Sequence, residues 1–257
     1  MGETIDLSYR EQGEGIPLVL LHGYPLDHRI WADVLPHLKK NIHVITPDLR
    51  GHGNSPVPDG VYTMPQLVDD VVRLLDKLKI EKAVIAGHSM GGYVTFEFWH
   101  DHPERISGIA LVATRANPDP EQRRAERMQN AAEAKQGLTA NIINSMLVKV
   151  TRRTELYPRV REIMEGTSPL GIAGILPGIA SRADANPWLP GIHVPVTVIA
   201  GREDQLIPVK ESIEMAEKIP NAKLVLVAHA GHLVMMEEPS IIAKALNDLI
   251  LRVGEHE

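Results

Sequence analysis

The sequence of 257 residues contains no cysteine. Disulfide bonds, a thiol nucleophile and a cysteine-ligated metal are therefore excluded. No basic flank followed by an apolar stretch lies near the first residue, and apolar runs such as 18–21 are far shorter than the roughly 20 residues of a membrane helix. We therefore expect a cytoplasmic protein with no signal peptide and no membrane partner.

An excess of positive charge is also missing. The chain has 27 Lys and Arg against 33 Asp and Glu, a net charge of −6, so no nucleic-acid partner is expected. The basic pairs at 123–124 and 152–153 lie among acids and are typical of solvated helix faces. The sequence has no His-Glu-x-x-His pattern, no Walker lysine and no dinucleotide fingerprint, so we expect neither a metal nor a nucleotide cofactor.

Short apolar runs recur along the chain, with helical patterns between them. The runs are nearly continuous in apolar character, which is typical of strands covered on both faces. They lie at 18–21, 42–45, 83–86, 109–112, 196–199 and 224–227. Between them, an apolar stripe over 67–78 with Thr63 as N-cap predicts one helix, and a stripe over 242–250 predicts another. Alternating strands and helices predict an α/β fold with a mostly parallel, doubly wound sheet.

This alternation is interrupted once, between residues 115 and 187. No strand run occurs there, and helical patterns are predicted at 120–135, 138–149, 157–165 and 171–181. Such a stretch between two strands predicts a helical insertion that lies over the strand ends. Most of its apolar residues are expected to form the insertion's own core. A minority are expected to wall an apolar pocket, and Met128 and Met146 are our candidates for substrate contact.

The strongest chemical signal is the sequence Gly-His-Ser-Met-Gly-Gly at 87–92, directly after a predicted strand and before a helical pattern. A serine hydroxyl needs exposure and a neighbouring base to act as a nucleophile. A sharp strand-to-helix turn supplies that exposure, and Gly87 and Gly91 allow the close backbone approach that the turn requires. The alternative is that Ser89 only caps the helix. The strand and helix context favours a nucleophile.

Together with four other motifs, this turn resembles the α/β-hydrolase superfamily over nearly the whole chain. The Leu-Leu-His-Gly-Tyr-Pro stretch at 20–25 is similar to the family's oxyanion loop, and 48–55 resembles its next motif. The stretch 201–208 is similar to the acid loop, and 231–239 to the histidine loop. The resemblance implies a hydrolase whose core comprises 1–114 and 188–257, with 115–187 as a helical cap.

Among twelve histidines, His232 is the predicted general base, because it follows a strand in a loop that begins at Gly231. An imidazole has a pKa near the working pH and can pass a proton from the serine to a leaving group. His229 is the nearest rival but is expected to end the strand. His22 and His88 flank the predicted catalytic loops and are expected to support them. The others considered are expected to be surface or packing residues: His28, His37, His43, His100, His102 and His193.

Asp204 is the predicted third member, which must accept the other N–H of the base and stabilise the imidazolium. It follows the strand at 196–199, and its neighbour Glu203 is the rival. The order Ser89, Asp204, His232 is the order of the α/β-hydrolase family. The resemblance also implies an oxyanion hole made by the backbone N–H groups of Tyr24 and Met90. The remaining candidate acids are better explained as caps or turn residues: Asp27, Asp48, Asp69 and Asp119.

Several functions share this machinery. Serine at position 89 argues against the dehalogenase and epoxide-hydrolase branches, which carry Asp there, and Gly-Tyr-Pro at 23–25 argues against the C–C bond hydrolases, which usually carry Gly-Pro-Gly. We predict a carboxylesterase that acts through an acyl-enzyme on a small-molecule ester. The alternatives are a lactonase for enol-lactones or acyl-homoserine lactones, a perhydrolase, and a ligand receptor that uses the pocket without catalysis.

Overall fold

Seven strands form one sheet in the computed structural model, which describes residues 4–255. Their order across the sheet is β1-β3-β2-β4-β5-β6-β7. The strands are β1 Tyr9–Gln12, β2 Ile16–Leu21, β3 Ile42–Pro47, β4 Ala83–His88, β5 Ile106–Val112, β6 Val196–Gly201 and β7 Lys223–Val227. All neighbours pair in parallel except β1 and β3. The predicted mostly parallel sheet is confirmed.

Both faces of the sheet are buried, which explains why its strands are continuously apolar. Leu18 and Leu20 of β2 belong to one apolar core, whereas Val19 and Leu21 belong to the other. This separation follows from the alternation of side chains along a strand. Each of the two cores also contains apolar side chains of helices, so the sheet lies between two helical layers.

Strand β1 is a difference from the sequence prediction. Its Tyr-Arg-Glu-Gln sequence is polar and largely exposed, and it pairs only with β3 at the edge of the sheet. An edge strand has no second neighbour and does not need two apolar faces, so it leaves no apolar run in the sequence.

The helices that flank the sheet are α1 Met64–Lys77, α2 Met90–Asp101, α7 Val209–Lys218, α8 Val234–Glu237 and α9 Pro239–Gly254. Helix α1 begins as predicted, because the Thr63 hydroxyl accepts a hydrogen bond from the Gln66 amide, and the Gln66 side chain returns to the Thr63 backbone. The apolar stripes of α1 and α9 pack against opposite faces of the sheet.

Four helices lie between β5 and β6, where the sequence predicts the insertion. They are α3 Glu121–Lys135, α4 Ala140–Val150, α5 Tyr157–Glu165 and α6 Pro169–Ala180. Helices α3 and α6 pack against each other. The predicted helical cap before the last strands is confirmed. Among residues 4–255, no helix is both long and apolar enough to cross a membrane.

Candidate active site

Ser89 occupies the sharp turn between β4 and α2. Its backbone has φ 51° and ψ −111°, a conformation that is costly for a residue with a side chain and that recurs at functional sites. Its amide donates to the carbonyl of Val112 at 2.9 Å, and its carbonyl accepts from the Thr114 hydroxyl at 2.8 Å. Neighbouring structure therefore holds this residue in its strained conformation.

The glycines beside the turn are required by close backbone contacts. A Cβ placed on Gly87 would lie 2.3 Å from the carbonyl oxygen of Gly91, and one on Gly91 would lie 2.6 Å from that of Leu21. Neither position can hold a larger side chain without movement of the backbone. The steric reason predicted from the sequence therefore applies to both glycines.

His232 and Asp204 lie together after β7 and β6. The Nδ1 atom of His232 is 2.7 Å from Oδ2 of Asp204, and both side chains are buried. The other carboxylate oxygen accepts the amides of Leu206 and Ile207 at 2.8 and 2.9 Å. Asp204 is therefore fixed by its own loop, and a proton on Nδ1 of His232 would leave Nε2 as the basic nitrogen.

The rival residues face solvent. The His229 side chain is 87 % exposed, and its Nδ1 lies 3.8 Å from the Glu203 carboxylate, which is itself partly exposed. Neither residue lines the cavity that contains Ser89 and His232. The structure thus brings Asp204 and His232 together and separates them from both alternatives.

The two amides predicted for an oxyanion hole have no acceptor among the residues that the structure describes. Met90 is the first residue of α2, where an amide has no partner within its helix. Tyr24 lies in the loop after β2, and His22 fixes that loop. The Leu49 amide donates to Nε2 of His22 at 2.9 Å, so Nδ1 carries the proton and donates to the Gly23 carbonyl. Burial lowers the pKa of His22, consistent with this neutral form.

The histidine loop is supported by residues that the sequence analysis missed. The Gly231 amide donates to the buried carboxylate of Glu237 at 2.6 Å. The amides of His232 and Leu233 both donate to the carbonyl of Val150, at 3.1 Å each. Val150 is the last residue of α4, so the cap holds the backbone of the histidine loop. A backbone acceptor carries no side-chain signature, so no sequence signal could have revealed this contact.

A cavity of about 230 Å³ separates the sheet from the cap. Ser89 and His232 line it together with Tyr24 and Met90. The cap contributes apolar side chains from α4 and α6: Ile142, Met146, Leu176 and Ile179. It also contributes polar side chains from α3 and α4: Arg123, Glu126, Arg127, Asn130, Glu133, Asn141, Ser145 and Lys149. The pocket predicted to have apolar walls therefore has a mixed lining.

Of the two methionines predicted to contact substrate, Met146 lines the cavity and Met128 does not. The Met128 side chain is 52 % exposed and lies outside the cavity lining. Helix α3 turns the polar face containing 123, 127 and 130 toward the cavity, and Met128 points elsewhere. Only Ala131 and Ala134 of α3 are buried, so the helix has no wide apolar stripe to determine its orientation.

A buried ion cluster lies at the base of the cap. Asp119 accepts from Nε of Arg127 at 2.5 Å and from Arg182 at 3.0 Å. Burial raises the pKa of this carboxyl, but the hydrogen bond from Arg182 and the charges of both arginines outweigh burial and lower it to about 2. Asp119, predicted to be a cap or turn residue, is instead the shared partner of two arginines. The Arg182 guanidinium also lies 4.1 Å from the ring centre of Tyr93, which lines the cavity.

Two groups of residues within 4–255 bring three metal-type ligands together: Asp27, His28 and Asp48, and Glu97, His100 and Asp101. In the first group, Nδ1 of His28 lies 2.7 Å from Asp48, and Asp27 pairs with Arg29. The second group is largely at the surface. Neither group lines the cavity.

The family model described as the alpha/beta hydrolase fold matches residues 16–239. The chain belongs to the α/β-hydrolase family. This α/β hydrolase is 30% identical to 2-hydroxymuconate semialdehyde hydrolase of Pseudomonas sp. (strain CF600), over 96% of this chain and 90% of that protein. Hydrolases are among its homologues.

Solved structures give the same assignment. The α/β hydrolase superposes on a malate-bound structure of a thermophilic esterase from Thermogutta terrifontis with a TM-score of 0.94 and 33% identity, over 97% of this chain and 94% of that one. It superposes on the enol-lactonase from Burkholderia xenovorans LB400 with a TM-score of 0.88 and 29% identity, over 95% and 96% of the two chains.

Proposed function

We propose that this α/β hydrolase is a carboxylesterase with Ser89 as nucleophile, His232 as general base and Asp204 as the residue that orients the base. The observation that carries the proposal is the 2.7 Å contact between Asp204 and Nδ1 of His232, at a cavity that Ser89 also lines. An ionised carboxylate can only accept, so Nδ1 donates and Nε2 is left to take the serine proton.

In the proposed mechanism, acylation comes first. Nε2 of His232 takes the proton from Ser89 as Oγ attacks the ester carbonyl carbon. The amides of Tyr24 and Met90 donate to the oxyanion that forms, a type of interaction whose loss costs roughly a hundredfold or more in rate. His232 returns the proton to the alkoxide, the C–O bond of the ester breaks, and an alcohol leaves with Ser89 acylated.

Deacylation repeats these steps with water. His232 takes a proton from a water molecule, which attacks the acyl carbon, and the released Ser89 oxygen recovers its proton from His232. The products are a carboxylic acid and the free enzyme. These steps require a small-molecule substrate and water, and no cofactor. The cap, predicted to span 115–187, would form the substrate-facing wall over a core that comprises 1–114 and 188–257.

The second candidate is a lactonase that uses the same residues. The likeness to the Burkholderia xenovorans enol-lactonase favours it, as does 29% identity to 3-oxoadipate enol-lactonase 2 of Acinetobacter baylyi. A lactone is a cyclic ester, so ring opening uses the same nucleophile and oxyanion donors. The likeness to the Thermogutta esterase and its higher TM-score favour linear esters.

Substitution Ser89→Ala tests the nucleophile. We expect ester hydrolysis and labelling by a fluorophosphonate to be lost, while the thermal unfolding midpoint stays close to that of the wild type. A useful control is Ser145→Ala, which removes another serine of the cavity lining. Ester turnover near the wild-type level in Ser89→Ala would show that the nucleophile is misassigned. An unlabelled wild type would instead favour a non-catalytic receptor.

A panel of linear esters and lactones of matched chain length tests the substrate class. We expect higher kcat/KM for linear esters. A preference for lactones by orders of magnitude would replace the carboxylesterase assignment with the lactonase. The panel also includes 2-hydroxymuconate semialdehyde, the compound in the name of the Pseudomonas relative.

A further inference from the structure

Arg127 is a cation of the cavity lining that a buried acid holds in place. Its Nε is bound to the Asp119 carboxylate, which is fully buried, while the Arg127 side chain keeps 15 % of its exposure. Asp119 is in turn held by Arg182. The guanidinium is therefore fixed from behind before any ligand arrives, which lowers the entropy lost on binding.

The cluster of Asp119, Arg127 and Arg182 has one negative charge for two positive charges. Arg182 directs its amino groups to Asp119 and to the carbonyls of Asn117 and Ile179. The amino groups of Arg127 have no acceptor among the residues that the structure describes. A partly buried guanidinium with free donors is a typical site for a planar anion, because its paired N–H groups match a carboxylate.

Tyr24 also lines this cavity, but its hydroxyl does not face the open space. Its hydroxyl is buried and has no hydrogen-bond partner within residues 4–255. Burial raises the pKa of Tyr24, and the nearby charge of Arg127 opposes this effect only in part, so the hydroxyl stays protonated. Because this oxygen is not accessible from the cavity, the contact with an anion is assigned to Arg127 alone.

The acids of the lining do not neutralise Arg127. Glu126 is exposed at the cavity rim, and Glu133 accepts from Gln129 at 3.0 Å. In the described part of the chain, neither forms an ion pair with Arg127. The positive charge of this side chain therefore remains available to a ligand.

We propose that Arg127 binds a carboxylate of the substrate, so that the preferred substrates are esters with a second, free carboxylate, such as half-esters of dicarboxylic acids. This proposal rests on the proposed ester hydrolysis and specifies its substrate class. Arg127 has no part in bond breaking. It is a specificity residue that orients the acyl chain toward Ser89.

Two series of ethyl esters test the proposal: monoethyl esters of C4 to C8 dicarboxylic acids, and ethyl esters of the same length that end in a methyl group. At the best length, we expect kcat/KM of the wild type to be about tenfold higher or more for the carboxylate series. Arg127→Gln should remove this preference and leave kcat/KM for the neutral series within about threefold of wild type, which also shows that the variant is folded.

The matched control is Arg124→Gln, which removes the same charge from an exposed position of α3 and should leave the preference unchanged. Equal rates for the two series in the wild type would overturn the proposal. So would an equal loss for both series in Arg127→Gln, because a structural role lowers both.

Calorimetry with the free acids keeps this test independent of turnover. Adipate should bind the wild-type protein at least about tenfold more tightly than hexanoate, and Arg127→Gln should bind the two acids equally. If no ester is hydrolysed but adipate binds with this preference, the proposed hydrolysis fails and the anion site stands. If esters are hydrolysed but adipate and hexanoate bind alike, the anion site alone fails.

Discussion

His88 holds the backbone of His232 through a hydrogen bond from its Nε2 to the His232 carbonyl oxygen, 3.1 Å away. The two rings lie 4.8 Å apart. Burial lowers the pKa of His88 well below its usual value, so the ring stays neutral and donates from Nε2. The residue directly before the proposed nucleophile thus positions the proposed base.

Substitution His88→Phe removes this donor and keeps a ring of similar size. We expect kcat to fall about fivefold with little change in KM, because one hydrogen bond of about 1 kcal/mol no longer fixes the His232 backbone. His88→Gln places an amide nitrogen near the Nε2 position and should recover part of the loss. A fall in thermal stability with unchanged kcat would assign His88 a purely structural role.

A pair of substitutions tests which of two neighbouring acids orients the base. Asp204→Asn and Glu203→Gln each remove one negative charge. Asp204→Asn should lower kcat by about 10⁴-fold, the order measured for the equivalent change in a Ser-His-Asp protease, because the amide stabilises the wrong tautomer of the base. Glu203→Gln should retain activity within about twofold, since its side chain is partly exposed. Steady-state kinetics of both variants checks the assignment, and the reverse order of losses would contradict it.

Two alanine substitutions test which methionine of the cap contacts the substrate: Met146→Ala and Met128→Ala. Met146 lines the cavity, so its truncation should raise KM for a medium-chain ester about fivefold through lost apolar contact. Met128 is half exposed, and its truncation should leave both kcat and KM unchanged. A larger effect at Met128 would mean that α3 presents a different face to the ligand.

Asp119→Asn should destabilise the cap at neutral pH by about 3 kcal/mol, because two partly or fully buried arginines lose their shared anion. The pKa of Asp119 in the folded protein is about 2, below its usual value. Its stabilising contribution is therefore present above about pH 4 and is lost as the pH falls toward 2.

Urea unfolding at several pH values measures this effect. The difference in unfolding free energy between wild type and Asp119→Asn should be constant from pH 7 to about pH 4 and should narrow below it. Asp59→Asn, at an exposed position, is the control and should change the unfolding free energy little at any pH. A difference that grew as the pH fell would disprove the ion-pair explanation.

The parallel strands could be predicted because burial on both faces imposes continuous apolar runs, and the cap could be predicted because such runs are missing between 115 and 187 while helical patterns continue. Side chains buried on both faces of a sheet must be apolar, as at 18–21 and 83–86. Strand β1 could not be predicted because it lies at the exposed edge of the sheet and has no apolar run. The arrangement of Asp204 and His232 could be predicted from chain order because parallel strands bring their carboxyl ends to one side of the sheet.

The face that α3 presents to the cavity could not be predicted, so the sequence did not show that Met128 lies outside the cavity lining. Periodicity groups residues 123, 127 and 130 on one side of a helix, but with only two buried alanines it does not show which side meets the protein. The pairing of Arg127 with Asp119 depends on that choice. Contacts between a cap backbone atom and a distant loop, such as that of Val150, leave no pattern in the sequence at all.

The hydrogen bonds that the amides of His232 and Leu233 donate to the Val150 carbonyl restrict how the cap can open. A rigid swing of the whole cap would break both bonds and displace the histidine from Asp204. The end of α4 is therefore tied to the histidine loop, so any cap movement that keeps these two bonds must leave this end in place.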